Sequence, residues 1–439
     1  MTATTADNLV DTPQIQRKDW QIITLIGAAH SCSHFFQLVF PTLFISLTAE
    51  FGFNYSQLGL LVAIFFVLSG MGQASSGFVV DRIGPAPVLL FGLGSFVVAG
   101  VLIGTATGYA MLVMAAVIGG LGNAIFHPVD YSILNHRVSP RRLGHAFSTH
   151  GFTGNLGWAL TPVFMSTLIY LANWRVAAIG AGVLVAVVLV FVWLGRGLLA
   201  GKNTAFGASS SVRPSASATS SSSVGAQAEP AGQGHDSLAS KSIGQTLAYL
   251  GRQPALWGAF FFFALTSVSL SVVQTYSIPM LGDVYGIDAV RAGSALSAYM
   301  LASALGMIAG GFLVGQNRRT EVTIAGSLIL AGLMLLVLAS GWVSAWMAML
   351  FVALGGFCAG VSTPSRDMLI RRITPKGATG TVYGLVYSGM DVGASLAPVG
   401  FGLMLDAGLT RGPWVGGAAA FVVAALAALV IGRSVAARQ

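Results

Sequence analysis

Of the 439 residues, 55% are hydrophobic and 8% charged, with a net charge of +8 and two cysteines. An ordinary globular domain carries about 25% charged residues, so this composition excludes a water-soluble protein. Continuous apolar runs without strand-like alternation exclude a membrane β-barrel.

Spans of about 20 apolar residues cross a bilayer. Twelve are expected, at roughly 21–47, 57–80, 87–107, 109–134, 143–171, 175–198, 254–281, 292–315, 321–341, 344–370, 378–405 and 414–433. The stretch 1–20 is polar and has no Lys or Arg before Arg17, unlike a cleaved signal peptide. It is read as a tail, and the first span as retained.

Ionisable groups inside a span cost at least about 2.5 to 3.5 kcal/mol each on insertion scales, so each needs a partner or a watery cavity. Those present are the candidate pathway residues. The first span carries His30, His34 and Gln37. In the fourth, Asn123, His127 and Asp130 follow spacings of four and three and share one helical stripe. A metal pair at His30 and His34 lacks a nearby Cys or carboxylate to complete it, so no metal and no cofactor is expected. Cys32 and Cys358 lie within apolar spans and are read as packing residues.

A flexible cytoplasmic linker is expected at 199–253, where residues 203–240 turn to Ser, Ala and Gly, including the run Thr219 to Ser223, a composition that cannot order itself. Within this tether, Ile243, Leu247 and Leu250 recur at helical spacing, as a linker helix or one lying on the membrane face. The seventh span holds Ser267, Ser271 and Gln274, and the tenth Thr363, Arg366 and Asp367. In the eleventh, Tyr383, Tyr387, Asp391 and Ser395 repeat every four residues. Asp367 and Arg371 are expected to form a surface ion pair.

The chain contains the same stretch twice, about 236 residues apart: Gly119-Gly120 recurs as Gly355-Gly356 and His127-Pro128 as Thr363-Pro364, while Gly157, Leu160 and Pro162 recur as Gly393, Leu396 and Pro398. Each repeat holds an even number of spans, so both halves enter the membrane in one orientation, the plan of a transporter with its site between them. The fold class is an all-α membrane protein, twelve transmembrane helices in two pseudo-symmetric six-helix bundles at 21–198 and 254–433, with a short tail at 434–439. The register also matches Asp130 with Arg366 and Asn155 with Asp391, pairs that could face each other across the pathway.

Of the 22 Lys and Arg, 18 fall on the N-terminus, the C-terminus and alternate loops, which makes both termini cytoplasmic. That bias and lipid headgroups account for the positive charge, which gives no support to nucleic-acid binding.

The loop between the second and third spans reads Gly77-Phe-Val-Val-Asp81-Arg82-Ile-Gly84. With the twelve-span plan it resembles the signature of the major facilitator superfamily over nearly the whole chain; its second-half counterpart, Gly311 to Arg319, has Gly315 where the Asp would stand. The resemblance implies that Gly77, Asp81, Arg82 and Gly84 form a cytoplasmic latch between the halves, and that spans one, four, seven and ten line the cavity. Gly77 and Gly84 would allow close helix contact and a sharp turn. Ser33-His34 and Phe126-His127-Pro128 resemble the fosmidomycin-resistance exporters. That group has Glu after the His-Pro, where this chain has Val129 and then Asp130.

The expected function is a monomeric, bacterial inner-membrane secondary transporter, proton-coupled, for a small anionic or polar organic solute. Alternatives are proton-driven efflux of an antibiotic or toxic metabolite, and a transporter-like sensor. The stripes offer no recognisable enzyme constellation and the chain no nucleotide-binding P-loop.

Overall fold

The computed structural model describes residues 11–200, 252–316, 319–374 and 379–436; a few side chains within these stretches, including those of Asp81 and Tyr383, also lie outside the described residues. The tether expected at 199–253 lies almost wholly outside them, together with Ile243, Leu247 and Leu250.

Two prolines shape the first half. Pro lacks a backbone N–H and crowds the carbonyl four residues back. Pro41 therefore breaks the first span into α1 (Pro13–Gln37) and α2 (Val39–Phe51), and Pro128 breaks the fourth into α5 (Tyr109–Asn123) and α6 (Phe126–Arg137). The Ala124 carbonyl freed by Pro128 accepts from Ser76 Oγ at 3.3 Å. Between these run α3 (Tyr55–Ile83) and α4 (Pro85–Gly104), followed by α7 (Leu143–Leu171), α8 (Trp174–Leu194) and the short α9 (Arg196–Leu199). The second half comprises α10 (Pro254–Tyr285), α11 (Ala289–Gln316), α12 (Thr320–Ser340), α13 (Ala345–Ile373), α14 (Thr379–Asp406) and α15 (Gly412–Ala436). Here Pro279 and Pro364 sit inside unbroken helices.

Helix ends follow local chemistry. Asn54 and Gln57 form a reciprocal capping box at the start of α3, and Gly52, Gly286 and Gly341 close helices in the left-handed region. α1 begins at Pro13, inside the stretch expected to be a tail. Its Asp19 is buried, and accepts from Ser139 Oγ at 2.5 Å and Arg142 Nη1 at 3.1 Å.

Among the described residues eleven helical spans are long and apolar enough to cross a membrane. The twelfth long helix is α7, whose polar residues, among them His145, Thr149, His150, Thr153 and Asn155, keep it out of that class. The protein is an all-α membrane protein with two six-helix bundles.

The 236-residue register is visible in the packing. A methyl on Gly120 would meet the Phe65 carbonyl of α3 at 2.5 Å, and one on Gly356 the Tyr299 carbonyl of α11 at 2.3 Å. Gly157 lies likewise against Ser31 of α1, and Gly393 against Ala264 of α10. Small residues at these crossings let helix backbones touch, which is how helices associate where lipid removes the hydrophobic drive.

The halves meet along α3 with α14 and α7 with α11. Among the described residues the hydrogen bonds joining them gather at one end, where α3 and α11 begin. Tyr55 N and Ser56 N donate to Asp406, Tyr276 Oη donates to the Tyr55 carbonyl, and Ser166 Oγ to that of Ala289.

Candidate functional site

The fourth-span stripe survives its helix break, and both of its parts face α1. Asp130, with no exposed surface, places Oδ2 3.0 Å from His30 Nδ1 and 3.2 Å from His150 Nε2. The His30 and His150 rings stack with centroids 3.6 Å apart; His127 lies 5.2 Å from His30, and His34 lies 4.6 Å from His30 and 6.3 Å from His127. Four imidazoles thus cluster inside the first half, two of them directly against one carboxylate. Asp130 Oδ1, His127 Nδ1 and both ring nitrogens of His34 are buried without a hydrogen-bond partner among the described residues, each an omission worth about 1–3 kcal/mol.

Next to this cluster runs an amide relay. Asn123 Oδ1 accepts from Ser33 Oγ at 2.8 Å and Gln37 Nε2 at 3.3 Å, while its Nδ2 donates to Ser69 Oγ at 2.7 Å. Gln37 Oε1 accepts from Trp158 Nε1 at 2.9 Å, and the Trp158 ring lies 4.2 Å from His34. α1, α3, α5 and α7 are tied together through side chains that also border the cluster.

The second half contributes a cation. Arg366 of α13 donates from Nε to Asp367 Oδ1 at 3.0 Å, Tyr387 Oη donates to the same oxygen at 3.3 Å, and the guanidinium sits 4.7 Å above the Phe263 ring. Asp391, midway along α14, has no ion pair among the described residues and packs against α3, where a methyl on Gly70 would meet its Cβ at 3.2 Å. Gln274 Nε2 is buried without a hydrogen-bond partner among the described residues.

Several expectations are corrected. Asp130 and Arg366 do not pair; each has partners within its own half, because equivalent positions in a repeat occupy like environments rather than touching. Asn155 donates to the Gly151 carbonyl of its own helix and does not meet Asp391. Asp367 pairs with Arg366, leaving Arg371 exposed. Gly77 makes no close helix contact, since a methyl there would meet nothing within 4 Å. Gly84 does make a turn, ending α3 at φ +86°. Arg82 is exposed, and the side chains of Asp81 and Tyr383 lie outside the described residues.

His150 escaped the sequence reading, as did Ser69 and Trp158. His150, five residues after His145 among the hydroxyls and amides of α7, carries no helical spacing signal; only the approach of α7 to α1 reveals it. One nitrogen from each of His30, His127 and His150 falls within 4.8 Å of the others, so these rings could hold a metal ion where His30 and His34 alone could not.

Residues 26–349 and 273–439 match the family model described as Major Facilitator Superfamily. The chain belongs to that superfamily. The major facilitators are membrane transporters. It is 31% identical over 160 residues to the probable 4-methylmuconolactone transporter of Cupriavidus pinatubonensis, covering 35% of this chain and 37% of that protein. It is 27% identical over 154 residues to the fosmidomycin resistance protein of Escherichia coli, covering 35% and 37%. The chain spans little more than a third of the length of either relative. A bacterial homologue of the human lysosomal transporter Spinster, inward-facing and unoccupied, shares the fold with a TM-score of 0.67 at 13% identity, over 95% of this chain and 96% of that one.

Proposed function

We propose that this major facilitator is a proton-coupled secondary transporter of a small anionic or polar organic solute, working by alternating access as a monomer in the bacterial inner membrane. In this reading both termini are cytoplasmic, and Asp81 and Arg82 latch the halves at that side. The observation that carries it is Asp391. A carboxylate midway along a membrane helix, without an ion pair among the described residues and lying on the seam between the halves, loses its charge by taking a proton, and the seam is what alternating access opens and closes. Asp130 is less suited, since two imidazoles already flank it. Arg366 supplies the cation that a carboxylate-bearing solute would meet.

A thermal-shift screen of the purified protein against organic acids, sugars and drugs selects a probe solute, which is then loaded into proteoliposomes. An imposed pH gradient should drive its accumulation, and Asp391→Asn should abolish that accumulation while leaving solute exchange. Gradient-driven accumulation in Asp391→Asn would refute the assignment. Reporter fusions at residues 220 and 285 should place the first in the cytoplasm and the second outside.

The likeness to the fosmidomycin resistance protein supports a second reading, proton-driven efflux of an antibiotic or toxic metabolite. Drug sensitivity on deletion, with no growth defect on organic acids, would favour it.

A further inference from the structure

The imidazole cluster has no part in the proton step assigned to Asp391, and its geometry calls for a ligand of its own. We propose that His30, His127, His150 and Asp130 form a binding site for one divalent first-row transition ion of the zinc, nickel or cobalt type.

The first observation is convergence. One nitrogen from each of the three rings lies within 4.8 Å of the other two, and Asp130 Oδ2 is 3.0 Å from His30 and 3.2 Å from His150. Zinc–nitrogen bonds of about 2.0–2.1 Å require ligand atoms roughly 3.3 Å apart. The carboxylate already meets that spacing on two sides, and the half-buried ring of His127 has the most room to close on it.

The second observation is independent of spacing. His30 Nδ1, though 3.0 Å from Asp130 Oδ2, lacks hydrogen-bond geometry toward it, and Asp130 Oδ1 and His127 Nδ1 are likewise buried and unpartnered. A self-contained polar network in a membrane bundle pairs its donors with its acceptors. Here, among the described residues, His150 Nε2 alone has hydrogen-bond geometry to the carboxylate, 3.2 Å from Oδ2, while the other polar atoms lie side by side and aim past one another, as ligands do around a shared centre. Three neutral imidazoles and one carboxylate favour borderline transition ions over magnesium or calcium, which take oxygen sets. His127 and the 43%-exposed Tyr131 beside it give the ion a way in. All four ligands belong to α1, α6 and α7, so the site is complete within one half.

The test uses the untagged full chain in detergent, stripped with a chelator and titrated with Zn2+ by calorimetry, with Co2+ absorption as a second readout. One ion per chain is expected, with a tetrahedral nitrogen/oxygen Co2+ spectrum. Asp130→Asn and His150→Gln should each weaken binding by at least about tenfold, whereas His145→Gln, a change outside the cluster, should leave it intact. His127→Gln, at the half-buried ring, covers the case in which a core variant fails to fold. No stoichiometric binding by the wild type, or binding within twofold of wild type in the folded variants, would overturn the proposal. Binding is read without transport, so its failure is separate from that of the transport reading.

Discussion

Asp406, the last residue of α14, caps α3 of the other half: its Oδ1 accepts from Tyr55 N at 2.7 Å and its Oδ2 from Ser56 N at 2.9 Å. A carboxylate at a helix N-terminus satisfies orphan donors and complements the helix dipole. This cap acts between halves and exists only while that end is closed. Asp406→Ala should cost about 1 kcal/mol of the closed arrangement at so exposed a cap, a shift of roughly fivefold in population. Spin-label distances across the end bearing Tyr55 should lengthen, and an unchanged distribution would remove Asp406 from the gate.

Asp130 and Arg366 are partnered separately, so neutralising them should give independent losses. In a double-mutant cycle of transport, Asp130→Asn with Arg366→Gln should add to within about 0.5 kcal/mol. Recovery on swapping the two charges would instead reveal a conformation in which they meet.

The close crossings predict a contrast among glycines. Gly157→Ala and Gly393→Ala would drive a methyl to 2.2 Å from the Ser31 carbonyl and 2.3 Å from that of Ala264. Each should destabilise by about 1–3 kcal/mol, lowering the Tm in detergent. Gly77→Ala, inside a helix and facing open space, should be neutral or stabilising by up to about 1 kcal/mol. Equal melting temperatures for the three variants would contradict the packing described.

Asp11 accepts two short hydrogen bonds from Arg142, and that guanidinium holds its carboxyl below the usual 3.8. A depressed carboxyl stabilises the fold above its unfolded value and loses that contribution as pH falls through the folded one. Thermal unfolding measured from about pH 5 down to about pH 2 should show a loss that Asp11→Asn reduces. An identical acid profile in the variant would mean that the tail is not tied to the loop at Arg142.

The architecture is legible because spans, repeat register and glycine crossings are one-dimensional signals: Gly157 and Gly393 stand in register in the sequence and make equivalent crossings in the fold. The site was half legible. Asn123, His127 and Asp130 share a stripe on one helix, so spacing found them, but His150 comes from a helix whose polarity hides a single ring. The Asp130–Arg366 expectation failed because a repeat relates environments, not contacts. Asp367 chose the adjacent Arg366 over Arg371, a choice of rotamer and depth that helical spacing does not encode.

The fate of the four prolines makes the duplicated molecule mechanically lopsided. Pro41 and Pro128 interrupt the two inner helices of the first half, while Pro279 and Pro364 leave their counterparts as single rods. The inner helices of one bundle are therefore broken at the level of its imidazoles, while those of the other carry their prolines inside continuous helices. In a cycle of opening and closing, bending would gather beside His34 and His127 in the first half, while Arg366 rides on a continuous helix two residues from Pro364.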